Sequence, residues 1–298
     1  MSLALTFLAL GFLFVLGLIA DELGRATPLP RVTLLLACGV LLGRSGLDLF
    51  PVEMEAWYEF FSILALTMVA FLLGGIFTPA TLRRHGREIM LISISIVVVT
   101  LVVVAGGLWL FGVTPALALL LGAIATATAP AAVQDVLRQD GQGGSFALKI
   151  RGIVAIDDAW GIIVFSIALA AAALLTGRAE EGLWLHAARD LGGGVALGAA
   201  IGVPAAILTG RLREGEPTQT EALGIVFLTA GAALWFEVSF LVAGITAGAI
   251  VVNLARHHDR PFHEIENIQW PFMMLFFILA GASLEVGRLV DLGIIGLG

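Results

Sequence analysis

The 298-residue chain is 59% hydrophobic and only 13% charged, with a mean hydropathy of +1.01 and a formal net charge of −7. Soluble domains carry roughly a quarter charged residues, so this composition excludes a string of soluble domains and predicts one polytopic membrane domain. The single cysteine, Cys38, excludes an internal disulfide and a cysteine-rich metal site. The basic residues lie in short loops without interleaved aromatic side chains, which excludes a nucleic-acid surface.

Apolar runs separated by short charged loops predict an all-α chain that crosses the bilayer about ten times. We place the spans at residues 2–20, 30–43, 60–80, 89–111, 115–137, 150–175, 186–209, 219–236, 238–255 and 268–285. An eleventh apolar run begins at Val290 and is still in progress at Gly298. We therefore expect that the C-terminal part of the domain is missing from this chain.

Lysine and arginine are distributed unevenly between the loops. If the spans alternate in direction, twelve of the 16 fall on one side of the membrane and four on the other. Because cytoplasmic loops are enriched in these residues, the pattern predicts an N-terminus outside the cell. We expect a multi-pass protein of the inner (plasma) membrane.

The sixth span carries two adjacent carboxylates, Asp157 and Asp158, within a long apolar helix. An acidic residue at membrane depth costs roughly 2.5–3.5 kcal/mol on insertion scales, and each ionised group opposes ionisation of its neighbour. Such residues in membrane helices mark ion or proton pathways. The pair predicts a site that binds and releases a cation or a proton.

The fifth span contains a helix-breaking segment near its middle, where the sequence reads TATAP. Proline cannot donate a hydrogen bond to the carbonyl four residues earlier, and it disfavours helix at the residue before it. A break at membrane depth exposes backbone oxygens, which suit a small hard cation. A simple proline kink with self-bonded threonines is the alternative. The predicted site lining is Thr126, Ala127, Thr128, Ala129 and Pro130.

Glycines recur every four residues in two spans. Small residues at this spacing allow helices to approach closely, so these glycines predict helix packing and no chemistry. The positions are Gly194, Gly198 and Gly202 in the seventh span, with Gly244 and Gly248 in the ninth.

Five segments together carry a family resemblance. In chain order they are RVTLLLACGVLLGRSGLDLF, TATAP, AIDDAWGIIVFS, SFLVAGITAGAIVVN and FFILAGASLEV. The chain resembles the sodium/hydrogen exchanger family of the monovalent cation:proton antiporter superfamily, and the TATAP segment followed by IDD is the most specific part of the likeness. Two positions depart from the pattern of many relatives, which have acidic residues where this chain has Ile76 and Ala129.

The resemblance implies an inverted-repeat antiporter fold with discontinuous crossing helices, assembled as a homodimer. Within the single transmembrane domain of residues 1–298, it implies scaffold and dimerisation helices at 1–80 and 219–285, with the first half of the ion-translocating core at 89–175. It assigns Asp158 to the transported ion or proton and Asp157 to the preceding position, which is Asp in electrogenic relatives and commonly Asn in electroneutral ones. It places a basic residue and a second broken helix beyond Gly298, so we expect that the 298 residues alone do not transport.

The predicted function is therefore secondary active transport, with no enzyme activity and no cofactor. A monovalent cation is exchanged for protons; Na⁺ is the leading candidate, and K⁺ and Li⁺ stay open. An ion channel or an organic-anion symporter on a related fold is the alternative. An intramembrane aspartyl protease is disfavoured because its two aspartates come from different helices.

Overall fold

The computed structural model describes residues 3–27, 29–49, 54–139, 144–176, 183–209, 218–255 and 259–285. Within these ranges the chain forms eleven α-helices and no β-strand. They are α1 (Leu3–Ala26), α2 (Arg31–Leu42), α3 (Met54–Gly74), α4 (Pro79–Leu110), α5 (Pro115–Ala125), α6 (Pro130–Gln139), α7 (Ser145–Leu175), α8 (Leu183–Thr209), α9 (Thr218–Trp235), α10 (Phe240–Leu254) and α11 (Asp259–Ser283).

The helices match the predicted spans in order, and α5 and α6 together occupy the predicted fifth span. In the described part of the chain, seven segments are long and apolar enough to cross a membrane, which makes this a multi-pass membrane protein. Helices α2 and α10 are apolar but shorter. The predicted eleventh span lies outside the described residues.

Local sequence explains where several helices begin. Thr78 precedes α4, and its hydroxyl accepts a hydrogen bond of 3.2 Å from the backbone N–H of Thr81. Ser239 caps α10 in the same way through the N–H of Val242, at 3.3 Å. Pro115 stands at the first position of α5, where the missing N–H removes no helical hydrogen bond.

The chain divides into two compact units, residues 1–66 with 267–298 and residues 67–266. In the first unit, α2 and α11 cross at a pair of glycines. A Cβ atom at Gly39 would lie 2.0 Å from the carbonyl oxygen of Ile278, and one at Gly281 would lie 2.2 Å from that of Leu36. The two backbones therefore touch directly, which only glycine permits at these positions.

The first unit also contains a charged cluster that joins the end of α1 to the start of α2. The Arg31 guanidinium lies 2.9 Å from the Asp21 carboxylate and 5.5 Å from the ring centroid of Trp270. Asp21 is buried, so the pairing neutralises a charge that would otherwise be costly to bury.

In the second unit, α4, α5 and α7 pack against one another, as do α8, α9 and α10. Helix α7 also contacts α6, α8 and α10. The assignment of residues 89–175 to an ion-translocating core, and of 1–80 and 219–285 to a scaffold, stays a prediction.

Candidate functional site

Asp157 is completely buried on α7. The hydroxyl of Ser93, which is also completely buried and lies on α4, donates a hydrogen bond to Oδ1 of Asp157. The second oxygen of the carboxylate, Oδ2, is buried without a hydrogen-bond partner among the described residues. A buried carboxylate with one unsatisfied oxygen costs free energy, and such groups concentrate at functional sites.

Asp158 is the next residue of α7. Its side chain is not among those that the structure describes, so its role as the ion ligand stays a prediction.

The predicted interruption of the fifth span is present. Helix α5 ends at Ala125, α6 begins at Pro130, and residues 126–129 between them are not part of either helix. The N–H groups of Thr126 and Ala127 donate to the carbonyl oxygens three residues earlier in a tighter final turn, at 3.2 and 3.1 Å. Pro130 has no N–H to continue the ladder, which is the physical cause of the break.

The break leaves backbone carbonyl oxygens without hydrogen-bond donors in the described chain. Within the described part of the chain, no backbone N–H donates to the carbonyl oxygens of Thr126, Ala127 or Thr128. The Thr128 hydroxyl is also buried without a hydrogen-bond partner there. Unpaired oxygens of this kind are tolerated in a membrane only where they face protein or a polar cavity.

The two threonines of the segment behave differently. The hydroxyl of Thr126 donates to the carbonyl oxygen of Ala123 in α5, at 2.7 Å. This bond to its own helix is the one that the simple-kink alternative predicts for both threonines. Thr128 makes no such bond, and its hydroxyl lies close to the carboxylate of Asp157. Ala127 and Ala129 are exposed, and Pro130 is buried.

The broken segment faces α7 beside Asp157. A Cβ atom placed on Gly161, one turn beyond Asp157, would lie 3.7 Å from the Cβ of Ala127. The structure therefore brings the TATAP segment close to Asp157 of α7. That the two form a shared ion site stays a prediction.

Glycines on both flanks of α4 allow this arrangement. A Cβ at Gly152 of α7 would lie 2.7 Å from Cδ1 of Ile89, and a Cβ at Gly122 of α5 would lie 2.9 Å from the Cβ of Ala105. Both neighbours of α4 therefore approach it closely, and the approach of α7 brings Ser93 within hydrogen-bond reach of Asp157.

Sequence reasoning missed Ser93. It lies in the run ISISIVVV, where Ser93 and Ser95 alternate with apolar residues and look equivalent. The structure separates them, because Ser95 is exposed and donates to the carbonyl oxygen of Leu91 in its own helix at 2.7 Å. No signal in a single sequence tells which of the two faces α7.

The five patterned glycines all lie at helix contacts, but they face two different helices. Those of α8 face α10, where their added Cβ atoms would lie 2.4–3.0 Å from the nearest atoms. Those of α10 turn instead to α3, where Cβ atoms would lie 2.9 Å from the Cβ of Ala70 and 2.1 Å from the carbonyl oxygen of Phe71. The first set is Gly194, Gly198 and Gly202, and the second is Gly244 and Gly248.

The described residues of the site offer hard oxygen donors, namely carboxylate, hydroxyl and backbone carbonyl groups. Among the described residues, no group of three or more His, Cys, Asp and Glu side chains could hold a metal ion. Oxygen donors suit alkali or alkaline-earth cations and protons, whereas soft metals prefer sulfur and imidazole ligands.

Comparisons with known proteins yield one family model and several similar folds. The family model described as "Sodium/hydrogen exchanger, transmembrane" matches residues 8–297. No curated protein matches the chain.

Two solved structures of the sodium proton antiporter MjNhaP1 from Methanocaldococcus jannaschii have a similar fold. The structure at pH 8 has 20% sequence identity and a TM-score of 0.69, and the match covers 98% of this chain and 73% of that one. The electron-microscopy structure has 17% identity and a TM-score of 0.75, with coverage of 97% and 74%.

Proposed function

The chain belongs to the sodium/hydrogen exchanger family, and from that premise we propose that it exchanges a monovalent cation for protons across the membrane. The observation that carries the proposal is the buried Asp157 carboxylate beside the backbone carbonyl oxygens of residues 126–128, which accept no backbone hydrogen bond among the described residues. Na⁺ is the proposed cation, with Li⁺ and K⁺ as the alternatives that the same oxygen ligands accept.

The chemistry follows from competition for one negative charge. A carboxylate in an apolar span is costly to leave ionised and empty, so it binds either a proton or a cation. A cation that loses its hydration shell in the site needs replacement oxygens, and the free carbonyl groups of the broken segment supply them. Binding of one species displaces the other, which couples their movements.

We assign the exchanging group to Asp158 and a supporting role to Asp157. If Asp157 is ionised in the empty site and changes its protonation during the cycle, two protons exchange for one cation and net charge moves. If Asp157 serves only as a hydrogen-bonding neighbour, the exchange is one-for-one and electrically silent.

The setting of the transporter is part of the proposal. The uneven distribution of lysine and arginine supports an N-terminus outside the cell and a location in the inner (plasma) membrane. We also propose a homodimer, in line with the family resemblance. An antiporter needs no cofactor, since the gradient of one ion drives the movement of the other.

The test uses the full-length protein as it occurs in the cell, hereafter the natural protein. It is reconstituted in liposomes with an imposed pH gradient. Addition of NaCl, LiCl or KCl in turn should dissipate the gradient for the transported cation. Asp158→Asn should abolish this response while the protein remains folded, because the group that exchanges a proton for a cation is gone. A channel would instead carry cation current that needs no proton gradient.

Glu237→Gln is the matched control. It also removes one carboxylate, but one that is largely exposed and lies 3.5 Å from Arg189, just after the end of α9. This variant should exchange as the natural protein does. Cation-driven proton movement that survives in Asp158→Asn would refute the assignment of the site, and its absence from the unmodified protein would refute the function.

A further inference from the structure

The hydroxyl of Ser93 is directed differently from four other hydroxyls within the apolar helices or at their ends. Each of the four donates to the carbonyl oxygen four residues earlier in the chain, at 2.7–2.9 Å. That bond is the usual way to satisfy a serine or threonine in an apolar helix. Ser93 instead donates across to the carboxylate of Asp157 on α7. The four residues with the usual bond are Ser95, Ser166, Thr176 and Thr229.

The contact is built into the way α4 and α7 pack. Three pairs of residues meet in the same order along both helices, so the two helices run parallel in this region. Gly152 of α7 sits between the other two contacts and allows the close approach. The pairs are Glu88 with Lys149 at 2.5 Å, Ile89 with Gly152, and Ser93 with Asp157.

The hydrogen bond from Ser93 makes the two oxygens of the Asp157 carboxylate inequivalent. Oδ1 is held by Ser93, and Oδ2 has no partner among the described residues. An unheld aspartate rotates about its side-chain torsions, and fixing it costs conformational freedom that binding would otherwise have to supply. A hydrogen bond to one oxygen restricts these torsions, so the other oxygen can take fewer positions.

We propose that Ser93 is a positioning residue, which holds Asp157 so that Oδ2 stays available to the transported cation or to the ligands around it. This inference rests on the proposed function, since it concerns the same site. Ser93 does not itself contact the ion. It acts through Asp157, and its effect should appear in cation binding more than in the maximal rate.

The experiment compares Ser93→Ala, Ser93→Thr and Ser95→Ala in the natural protein. Initial rates of Na⁺-driven proton movement in liposomes give the apparent KM and the maximal rate, and Na⁺-induced thermal stabilisation in detergent gives binding without transport. Ser93→Ala should raise the apparent KM about tenfold, which is near the lower end of the range expected for a hydrogen bond to a charged group. The maximal rate should change much less.

Ser93→Thr retains the hydroxyl and should restore most of the affinity. Ser95→Ala is the matched control on the same helix, because it removes a hydroxyl that serves only its own helix, and it should leave both parameters unchanged. Unchanged cation affinity in Ser93→Ala would overturn the proposal, as would a loss in Ser93→Ala that Ser93→Thr shares in full.

A double-mutant cycle separates positioning from general packing. If Ser93 acts through Asp157, Ser93→Ala should have little further effect on Na⁺ binding in an Asp157→Ala background, where the acceptor of its hydrogen bond is gone. Equal losses in both backgrounds would overturn the proposal. If Asp157→Ala binds no Na⁺, the comparison of Ala and Thr at position 93 decides.

The outcomes also separate this inference from the proposed function. An unmodified protein with no Na⁺-driven proton movement defeats the function, whatever the variants do. If the unmodified protein exchanges and the Ser93→Ala variant has the same cation affinity, only the role of Ser93 is refuted.

Discussion

Two groups of helices use glycine in the same way but for different ends. Between α8 and α10, glycines press one helix onto the backbone of the other, and a Cβ at Gly198 would lie 2.4 Å from the carbonyl oxygen of Ala243. Around α4, α5 and α7, Gly122 and Gly152 allow a similarly close approach. Yet this second group keeps buried polar atoms that have no hydrogen-bond partner among the described residues, including Oδ2 of Asp157 and the Thr128 hydroxyl.

The difference shows which region is optimised for stability. The α8–α10 contact gains dispersion energy and leaves no space for added atoms. The α4–α5–α7 group forgoes some stability to keep unsatisfied oxygens in place, as functional sites commonly do. We therefore expect larger side chains at the contact glycines to damage both groups, whereas changes of polar chemistry at constant volume should damage only the second.

The largest expected effect is on the packed contact. Gly198→Leu would place a side chain into the backbone of α10, where nothing flexible can move aside. We expect a loss of about 3 kcal/mol or more in stability and a sharp fall in the amount of folded protein in the membrane. Fluorescence-detected size-exclusion chromatography with a thermal ramp measures both.

Gly106→Leu on α4 is the control for that substitution, because no described atom lies within 4 Å of a Cβ at Gly106. It should leave the melting temperature nearly unchanged. Equal losses in the two variants would show that leucine is poorly tolerated at any helical glycine, and the loss at Gly198 would then not report on the α8–α10 contact.

The second effect is a change of chemistry at constant volume. Asp157→Asn keeps the shape of the side chain and removes a buried charge, so folding should survive. If Asp157 carries charge during transport, currents on solid-supported membranes should disappear while exchange in vesicles persists. Each elementary charge that crosses 100 mV is worth about 2.3 kcal/mol, so the unmodified protein should respond steeply to voltage.

Exchange without current in the unmodified protein would favour the electroneutral alternative, in which Asp157 is only a hydrogen-bonding neighbour. The Glu237→Gln variant serves again as the control, since it removes a carboxylate outside the site and should keep both signals.

The smallest expected effect is at the break. Pro130→Ala restores a backbone N–H and favours a continuous helix from α5 into α6, which withdraws carbonyl oxygens from the site. The apparent KM for the cation should rise by about two- to tenfold, the worth of a typical hydrogen bond. The melting temperature should not fall. A lower melting temperature with unchanged KM would contradict the assignment of the break to ion binding.

Local features of the chain were enough to predict most of the fold. Continuous apolar runs predicted the order of the helices, because the cost of placing charged groups in lipid restricts where loops can lie. Pro130 predicted the interruption between α5 and α6, since the loss of one N–H is a property of the residue itself. The burial of Asp157 followed from its position inside an apolar helix.

Contacts between helices could not be predicted in this way. The packed helices were needed to show that Ser93, and not Ser95, faces Asp157. They were also needed to show that the glycines of α10 contact α3, whereas those of α8 contact α10. Hydropathy and proline chemistry act within a few residues of the chain, so they can be read from it directly. Partners across helices depend on rotation and register, which many weak contacts between distant residues fix together.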